Sequence, residues 1–501
     1  MTVVSHDPRT GRPLPPVEDS TADELDAAVD AASRAARAVA GSPPSVRQTW
    51  LRAVADALES EADELAGVAD TETALGWTRL TAEVHRAAWQ LRFYADVAGE
   101  GSFLGATIDR ATSQTPDLAR MNVPLGPVAV FGASNVPFTH GVVGHDVSTA
   151  IASGCPVVVK AHPAHLGLSR RLADLAGRAL ASAGAPDGLF QLVVGHQVGI
   201  DLVRHPGIAA VAFTGSQQGG LALWRVANER EVVIPVFAEM GTVNPVVVLP
   251  SATADMASLA DAFVGSFTIA SGQVCTKPGL LLAPRGIGAA REVADALDRA
   301  RVEPVMLTES VAAGVETGLR DLVAAGATTV LRVDRDAPGW SAPAAVLEVS
   351  LDQVRRGSRL LEECFGPVTL VCEYESLDEV HRALAELQGS LAASVFAAPD
   401  DPDPEVARLV EVLTAGAGRV VVNGWPTGVA AGWAQHHGGP WPSTTRPDST
   451  SVGAGGLHRF LRPVAFQTVP AAWLPPALQE SNPWGLPRRV DGAWQVPDRS
   501  V

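Results

Sequence analysis

In VAVFGASNVPF (Val128–Phe138) a short apolar run ends on a glycine and turns polar. The same pattern returns in CPVVVKA (Cys155–Ala161), LFQLVVG (Leu189–Gly195), AAVAFTG (Ala209–Gly215), VVIPVFAE (Val232–Glu239) and NPVVVLP (Asn244–Pro250). Runs this apolar, without polar alternation, predict strands buried on both faces. Between them lie amphipathic stretches such as LSRRLADLAGRALASAG (Leu168–Gly184), a predicted helix ending on a glycine. Strand and helix in alternation predict an α/β fold with a parallel sheet covered on both sides. Ligands of such sheets bind beyond the carboxyl ends of the strands. That rule marks Asn135, Lys160, Gly195, Thr214–Ser216 and Glu239, each just after an apolar run.

A chain of 501 residues is too long for one simple core, so two or three domains are expected. Its hydrophobic content of 47% with 19% charged residues is that of a globular protein. A net charge of -17 argues against a nucleic-acid partner and against anionic membrane surfaces. The opening MTVVSHDPRTGRPLPPV has no signal-like apolar core, and no run is long enough to span a bilayer, so a cytoplasmic location is expected.

Before the strands, the first hundred residues read as helices. TADE (Thr21–Glu24) is a capping box for a helix with Leu25, Ala28, Val29 and Ala32 on one face, stopped by Gly41. SVRQ (Ser45–Gln48) is expected to cap a second, with Leu51, Val54, Ala55 and Leu58 inward. A further βα-rich region begins near Asn244. Within it GSFTIASGQ (Gly265–Gln273) reads as a helix end closed by Gly272. From about Trp425 the chain is rich in Gly, Pro and Trp and is expected to be irregular.

Four cysteines, Cys155, Cys275, Cys364 and Cys372, make neither a disulfide framework nor a zinc pattern. Cys155 leads into an apolar run, and Cys364 and Cys372 flank the strand-like PVTLV; all three read as core. Cys275, in FTIASGQVCTKPG (Phe267–Gly279), lies in a loop two residues before Lys277, one of only two lysines in the chain. It could be a filler, a disulfide partner, a metal ligand or a nucleophile. A reactive thiolate needs positive or hydrogen-bonding company, which a preceding helix C-terminus works against and Lys277 could restore. Glu239 could cap or pair, or serve as a general base for water. Asn135 is a turn residue whose amide could hold an oxyanion. FTGS (Phe213–Ser216) precedes a predicted helix, whose N–H groups could hold a pyrophosphate, although no GxGxxG is present.

Taken together and in order, GASNVPF, VVVKAHPAH, FTGS, FAEMG, GQVCT and ECFGPV resemble the aldehyde dehydrogenase superfamily over nearly the whole chain. PLGPVAVFGASN, KAHPAH, PVFAEMGTVNPV, NGWPTGV and HGGPWPST look most like its 2-oxoglutarate semialdehyde (2,5-dioxopentanoate) dehydrogenases and their NADP-linked fatty-aldehyde relatives. The resemblance implies a Rossmann-type dinucleotide-binding domain over residues 1–108 and 125–242 and a catalytic α/β domain over 243–450. It also implies a small oligomerisation part from 109–124 and 451–501, bridging a homodimer or homotetramer. It implies Cys275 as nucleophile, Glu239 as base for water, and Asn135 with the Cys275 N–H around the oxyanion. Lys160 would hold the adenosine ribose, Ser216 the pyrophosphate and Glu363 the nicotinamide ribose, Phe365 would lie beside the ring, and His162, Gly195 and Gly215 would also contact the cofactor. The reaction implied is NAD(P)-dependent oxidation of an aldehyde, a semialdehyde such as 2,5-dioxopentanoate first among substrates.

Cofactor choice follows from charge. An acid near the ribose hydroxyls would repel a 2′-phosphate. KAHPAHLG carries no acid but has Lys160, His162 and His165, so NADP is expected ahead of NAD. Departures from the subfamily concern the substrate pocket, where Phe138, His140, His145 and His437 are placed. VPFTHGVVGHD adds His140 and His145, and Lys277 stands where a neutral Asn is more usual. Lys277 either points to solvent, or attracts a substrate carboxylate or lowers the thiol pKa. The pair His436–His437 has no acid or cysteine close by in sequence, so no metal is expected and a pocket wall is. Two alternatives stand beside the semialdehyde: a long-chain or specialised-pathway aldehyde, and a non-catalytic dinucleotide-binding protein of the same fold.

Overall fold

Five of the six apolar runs build one sheet: β1 Val128–Phe131, β2 Val157–Lys160, β3 Phe190–Val193, β4 Ala210–Gly215 and β5 Val236–Met240. In the computed structural model, which describes residues 2–335, 337–398 and 404–497, all five are parallel in the order β5-β4-β1-β2-β3. That is the doubly wound arrangement, with its switch point between β1 and β4. Residues 1, 336, 399–403 and 498–501 of the expected domains lie outside the described residues.

Alternation along each strand fills both faces. Ala129, Phe131, Val158 and Val211 pack with helices α1 (Ala22–Ala40), α7 (His196–Arg204) and α8 (Gln217–Asn228). Val128, Val130, Val157 and Val159 join the larger core under α2 (Pro44–Ser60), α3 (Ala62–Thr73), α4 (Trp77–Glu100), α5 (His145–Ser153) and α6 (Leu166–Ser182). The Thr21–Glu24 capping box forms, and α1 ends at Gly41. Helix α2 begins before the expected Ser45: Pro44 takes the first helical position, where its fixed φ suits the helix and its missing N–H costs nothing, and no side chain caps it. Helix α6 stops at Ser182, two residues before Gly184.

The second sheet contains β6 Asn244–Val248, β7 Pro278–Pro284, β8 Thr328–Val333, β9 Ala344–Glu348, β10 Val368–Tyr374, β11 Ala393–Phe396 and β12 Val420–Val422, in the order β8-β9-β10-β7-β6-β11-β12. Only β8 is antiparallel to its neighbour. Helices α9 (Met256–Thr268) and α10 (Ala289–Ala300) cover one face, and α11 (Glu309–Ala324), α12 (Leu377–Glu386) and α13 (Pro404–Gly416) the other. A third sheet joins Leu461–Gln467, Leu118–Pro124, Thr107–Asp109, Arg488–Val490 and Ala493–Gln495. Residues 423–453 contain no helix or strand beyond one isolated bridge, Glu239 to Thr444.

Another expected boundary moves. Helix α9 ends at Thr268 rather than running to Gly272, because Ala270, Ser271 and Gly272 all adopt positive φ (52°, 58° and 71°). At Gly272 the reason is a close approach: a Cβ there would overlap the Gly366 carbonyl. Among the described residues no helix is long and apolar enough to cross a membrane.

Candidate active site

Only three residues separate β5 from β6, so the carboxyl edge of the first sheet faces the amino edge of the second across a cleft. Glu239, next to last in β5, pairs in register with Thr214 of β4. On its open side the irregular 440–445 segment closes against β5: Met240 N–H donates to the Ser443 carbonyl at 2.9 Å, and Ala238 N–H to Thr445 Oγ1 at 3.0 Å. The same segment brings in His437, fixed by its N–H to Thr450 Oγ1 at 2.8 Å and by Ser451 N–H to its carbonyl at 2.8 Å. The ring is 1% exposed at the side chain, with Nε2 3.4 Å from Glu239 Oε2 and 3.7 Å from Cys275 Sγ. The sequence had given His437 a pocket-wall place with no acid or cysteine nearby. Folding supplies both.

The Cys275 loop is held from below. Asn244 Nδ2 donates to the Cys275 and Lys277 carbonyls, each at 3.0 Å, and its Oδ1 accepts from Ala392 N–H at 3.0 Å. Gln273 Oε1 accepts from Leu307 N–H at 2.9 Å. The expectation that Lys277 points to solvent fails. It is 3% exposed, not solvated, and its Nζ donates to the Cys364 and Val368 carbonyls at 2.9 and 2.7 Å. Those carbonyls flank the Phe365–Gly366–Pro367 turn, so the lysine fastens the Cys275 loop to the Glu363 loop.

Asn135 reaches the Cys275 loop from the other sheet: its Nδ2 donates to the Gln273 carbonyl at 2.7 Å. Its own carbonyl accepts from Arg79 at 2.9 Å, and Glu83 Oε1 accepts from Phe138 N–H at 3.0 Å and Thr139 N–H at 3.2 Å. Phe138, expected in the pocket, is fully buried in the large core instead. His140 and His145 stack edge to face at 4.6 Å, and His140 lies 6.3 Å from the His437 ring. His145 Nδ1 shares a 2.7 Å hydrogen bond with Tyr94 Oη. Burial pushes His140 down to about 4 and His145 well below the ordinary imidazole value, so both are neutral at physiological pH.

Charge at the centre is set by competition. Burial pushes the Cys275 thiol well up, and the Glu239 and Glu363 carboxylates push it further. Burial would also raise Glu239, but His437 and His140 outweigh it and hold the carboxyl below its usual range. Glu363, with no such partner, is pushed up to about 8 by burial against the opposing charge of Lys277.

The residues that the resemblance assigns to a dinucleotide lie along the carboxyl edge of the first sheet. Ser216 caps α8, its Oγ accepting from Gly219 N–H at 3.2 Å, and Gly215 ends β4. Gly195, at φ 122°, precedes α7. Glu363 seats against Gly241, where a side chain would overlap it, and its Oε1 is buried without a hydrogen-bond partner. Phe365 is half-buried beside it. Lys160 ends β2, while His162 stacks on His165 at 5.5 Å and accepts from Ala164 N–H through Nδ1 at 3.2 Å, a turn role. The acid absent from KAHPAHLG arrives from elsewhere: Asp19, before α1, lies so close that a Cβ on Gly195 would sit 3.1 Å from its Cγ. Its Oδ1 is buried and unpartnered, and its charge opposes the burial that draws Lys160 down to about 8. Arg419, at the foot of β12, was also missed; its Nε is buried without a partner, and its charge and that of Cys275 bear on one another.

Comparison with known proteins bears on the whole chain. A family model described as "Aldehyde dehydrogenase family" matches residues 1–462. Alpha-ketoglutaric semialdehyde dehydrogenase 2 of Azospirillum brasilense is 42% identical over 509 residues, covering 98% of this chain and 96% of that protein. Alpha-ketoglutaric semialdehyde dehydrogenase of Acinetobacter baylyi is 36% identical over 490 residues, covering 94% and 92%. Among solved structures, a mutant apo betaine aldehyde dehydrogenase of Staphylococcus aureus matches with a TM-score of 0.82 at 21% identity, covering 95% of this chain and 94% of that one. A 1-pyrroline-5-carboxylate dehydrogenase from Thermus with bound NAD matches at 0.80 and 21%, covering 93% and 90%. These two likenesses speak for the fold alone.

Proposed function

We infer the reaction from one premise: the chain belongs to the aldehyde dehydrogenase family. Its activity is therefore oxidation of an aldehyde to a carboxylic acid through a cysteine-bound thioester. We propose 2,5-dioxopentanoate as the substrate, supported by the two relatives named for this semialdehyde at 42% and 36% identity.

We propose Cys275 as nucleophile, and the observation that carries this is its thiol 3.7 Å from His437 Nε2. Sulfur adds to the aldehyde carbon while its proton passes to that nitrogen. The new oxyanion faces Asn135, whose Nδ2 keeps a second proton after bonding the Gln273 carbonyl. A nicotinamide dinucleotide, when bound, accepts the hydride. Its holders would be Ser216 and Gly215 at the phosphates, Lys160 with Asp19 at the adenosine ribose, and Glu363 with Phe365 at the other end. The orphaned oxygens of Asp19 and Glu363 suit ribose hydroxyls. The thioester is then hydrolysed by water that gives its proton to Glu239. NAD and NADP both fall within this reading, with Lys160 favouring the 2′-phosphate and Asp19 opposing it.

The substrate's far carboxylate needs a cation, and Lys277 is spent on carbonyls. We assign that role to Arg419, whose other nitrogens bond the Gly428 and Pro426 carbonyls while Nε stays unpaired. Assembly into a homodimer or homotetramer through the third sheet, whose Leu461–Gln467 strand is paired on one side only among the described residues, is part of the proposal; light scattering tests it. A reducing, cytoplasmic setting suits four unpaired cysteines.

The test is NADH and NADPH formation with 2,5-dioxopentanoate, succinate semialdehyde, hexanal and dodecanal. We expect 2,5-dioxopentanoate to lead in kcat/KM, and Arg419→Gln to raise its KM roughly tenfold, the worth of a charged hydrogen bond, while leaving hexanal unchanged. A lead for the apolar aldehydes would overturn the substrate reading.

A further inference from the structure

Cys275, His437 and Glu239 meet as a thiol, an imidazole and a carboxylate whose ligand atoms all lie within 4.8 Å of one another. This is also a donor set for a borderline-soft metal ion. Zinc bonds of roughly 2.3 Å to sulfur and 2.0–2.1 Å to nitrogen or oxygen, at tetrahedral angles, separate the donor atoms by about 3.3–3.6 Å. Here sulfur and nitrogen are 3.7 Å apart, and nitrogen and oxygen 3.4 Å. Two edges of the required triangle are already formed, and rotation of one side chain closes the third.

The site also lacks what a cation would supply. Glu239 is 3% exposed, and its carboxylate meets only His437 Nε2, at 3.4 Å, and the Cys275 thiol, with no well-formed hydrogen bond from any other of the described residues. A thiolate and a carboxylate together cancel the charge of a divalent ion, so the loaded site is neutral and its burial is not prohibitive. Binding writes as thiol plus Zn²⁺ giving a zinc thiolate and one released proton. The fourth position would be left to water, as in open zinc sites.

We propose that these three side chains form an inhibitory site for a single Zn²⁺ ion, captured reversibly in competition with aldehyde. An occupied site has no free thiolate to attack and no free carboxylate to activate water. It is not a resident metal centre, because His437 Nδ1 is buried without the partner that steadies the ligand histidines of such centres. The proposal rests on the same three residues as the catalytic reading, but on their donor atoms and not on any turnover.

The test uses full-length enzyme, reduced and stripped with a chelator, titrated with cobalt(II), whose thiolate and four-coordinate absorption bands need no substrate. We expect one cobalt per chain, a thiolate band, displacement by zinc, and loss of aldehyde oxidation that a chelator reverses and excess aldehyde slows. His437→Asn and Glu239→Gln should each weaken cobalt at least as much as the roughly tenfold that loss of an outer-shell partner costs, and alkylation of Cys275 should abolish the thiolate band. Cys372→Ser should leave the binding as it is. Equal affinity in the wild type and both variants, a complex without a thiolate band, or no one-to-one complex at all would overturn the proposal. Enzyme that oxidises aldehydes but binds no cobalt sinks the zinc site alone; enzyme that binds cobalt but oxidises nothing sinks the catalytic reading alone.

Discussion

Lys160 and Lys277 are the only lysines in the chain, and they stand on opposite sides of one cleft. Both are mostly shielded from water, and burial lowers the pKa of each. The rest differs. Lys277 spends its charge on two main-chain carbonyls and ties two loops together. Lys160 has no hydrogen-bond partner among the described residues, and only the nearby charge of Asp19 opposes its desolvation. A buried cation held by main-chain carbonyls of a neighbouring loop is architecture. One whose donors remain free at the carboxyl edge of a parallel sheet is placed for an anionic or polyhydroxyl ligand. Residue type and motif context do not separate the two; the carbonyls within reach do.

The largest effect that sharpens this contrast lies between the lysines. Cys275→Ala should lower kcat by more than about a thousandfold, as loss of a nucleophile does, with dinucleotide affinity unchanged by fluorescence titration. A matching loss of affinity would mean the two ends of the cleft are not separable. Next comes Lys277→Ala. It strands two carbonyls in a dry setting and should cost about 2–5 kcal/mol, read as a lower urea midpoint for inactivation. The aldehyde KM of the folded enzyme should not move; if KM rises while stability holds, Lys277 belongs to the substrate site and the contrast collapses.

Lys160→Met keeps the apolar stem and removes the charge, so the KM for NADP should rise roughly tenfold, the worth of one charged hydrogen bond. With its pKa at about 8, the ammonium is present below that pH and is lost above it. NADP affinity should therefore fall as pH rises from about 7 to about 9. The Glu363 carboxyl, also near 8, gains charge over the same window. The methionine variant isolates the lysine: its profile should lose the falling limb.

Much of the fold was legible because β1 to β6 are apolar on both faces, which only a covered parallel sheet satisfies. That Cys275, Glu239 and Asn135 lie close together was expected from the family resemblance, each belonging to one of its local motifs. What was not legible is what distant segments impose. Nothing in Ile269–Gly272 announces three left-handed residues; the approach of Gly366 demands the bend. Pro44 overrode Ser45 because a helix start is decided by one residue's φ. Asn244 passed as the first letter of a strand, although a polar side chain opening so apolar a run was a usable signal. His437 meets Cys275 across 162 positions, and no spacing rule reaches that far.

Asp19 is the sharpest instance, and it gives the smallest expected effect. The case for NADP rested on a loop without an acid, and that loop is indeed without one. The acid comes from the arm before α1, pinned there by Ser20 N–H to the Val194 carbonyl at 2.9 Å and Val194 N–H to Ser20 Oγ at 3.1 Å. A carboxylate in that place would accept from ribose hydroxyls and repel a 2′-phosphate, and so, on the proposed reading, would work against Lys160 within one subsite. Asp19→Asn keeps the shape and removes the charge. The ratio of kcat/KM for NADP over NAD should rise by about fivefold, about 1 kcal/mol, as fits a partly screened pair. In the Lys160→Met background the same substitution should act in the same direction, because the repulsion of a phosphate does not need the lysine. A ratio that moves only when Lys160 is present would instead make Asp19 an orienting partner of the lysine, and cofactor choice would then belong to the cation alone.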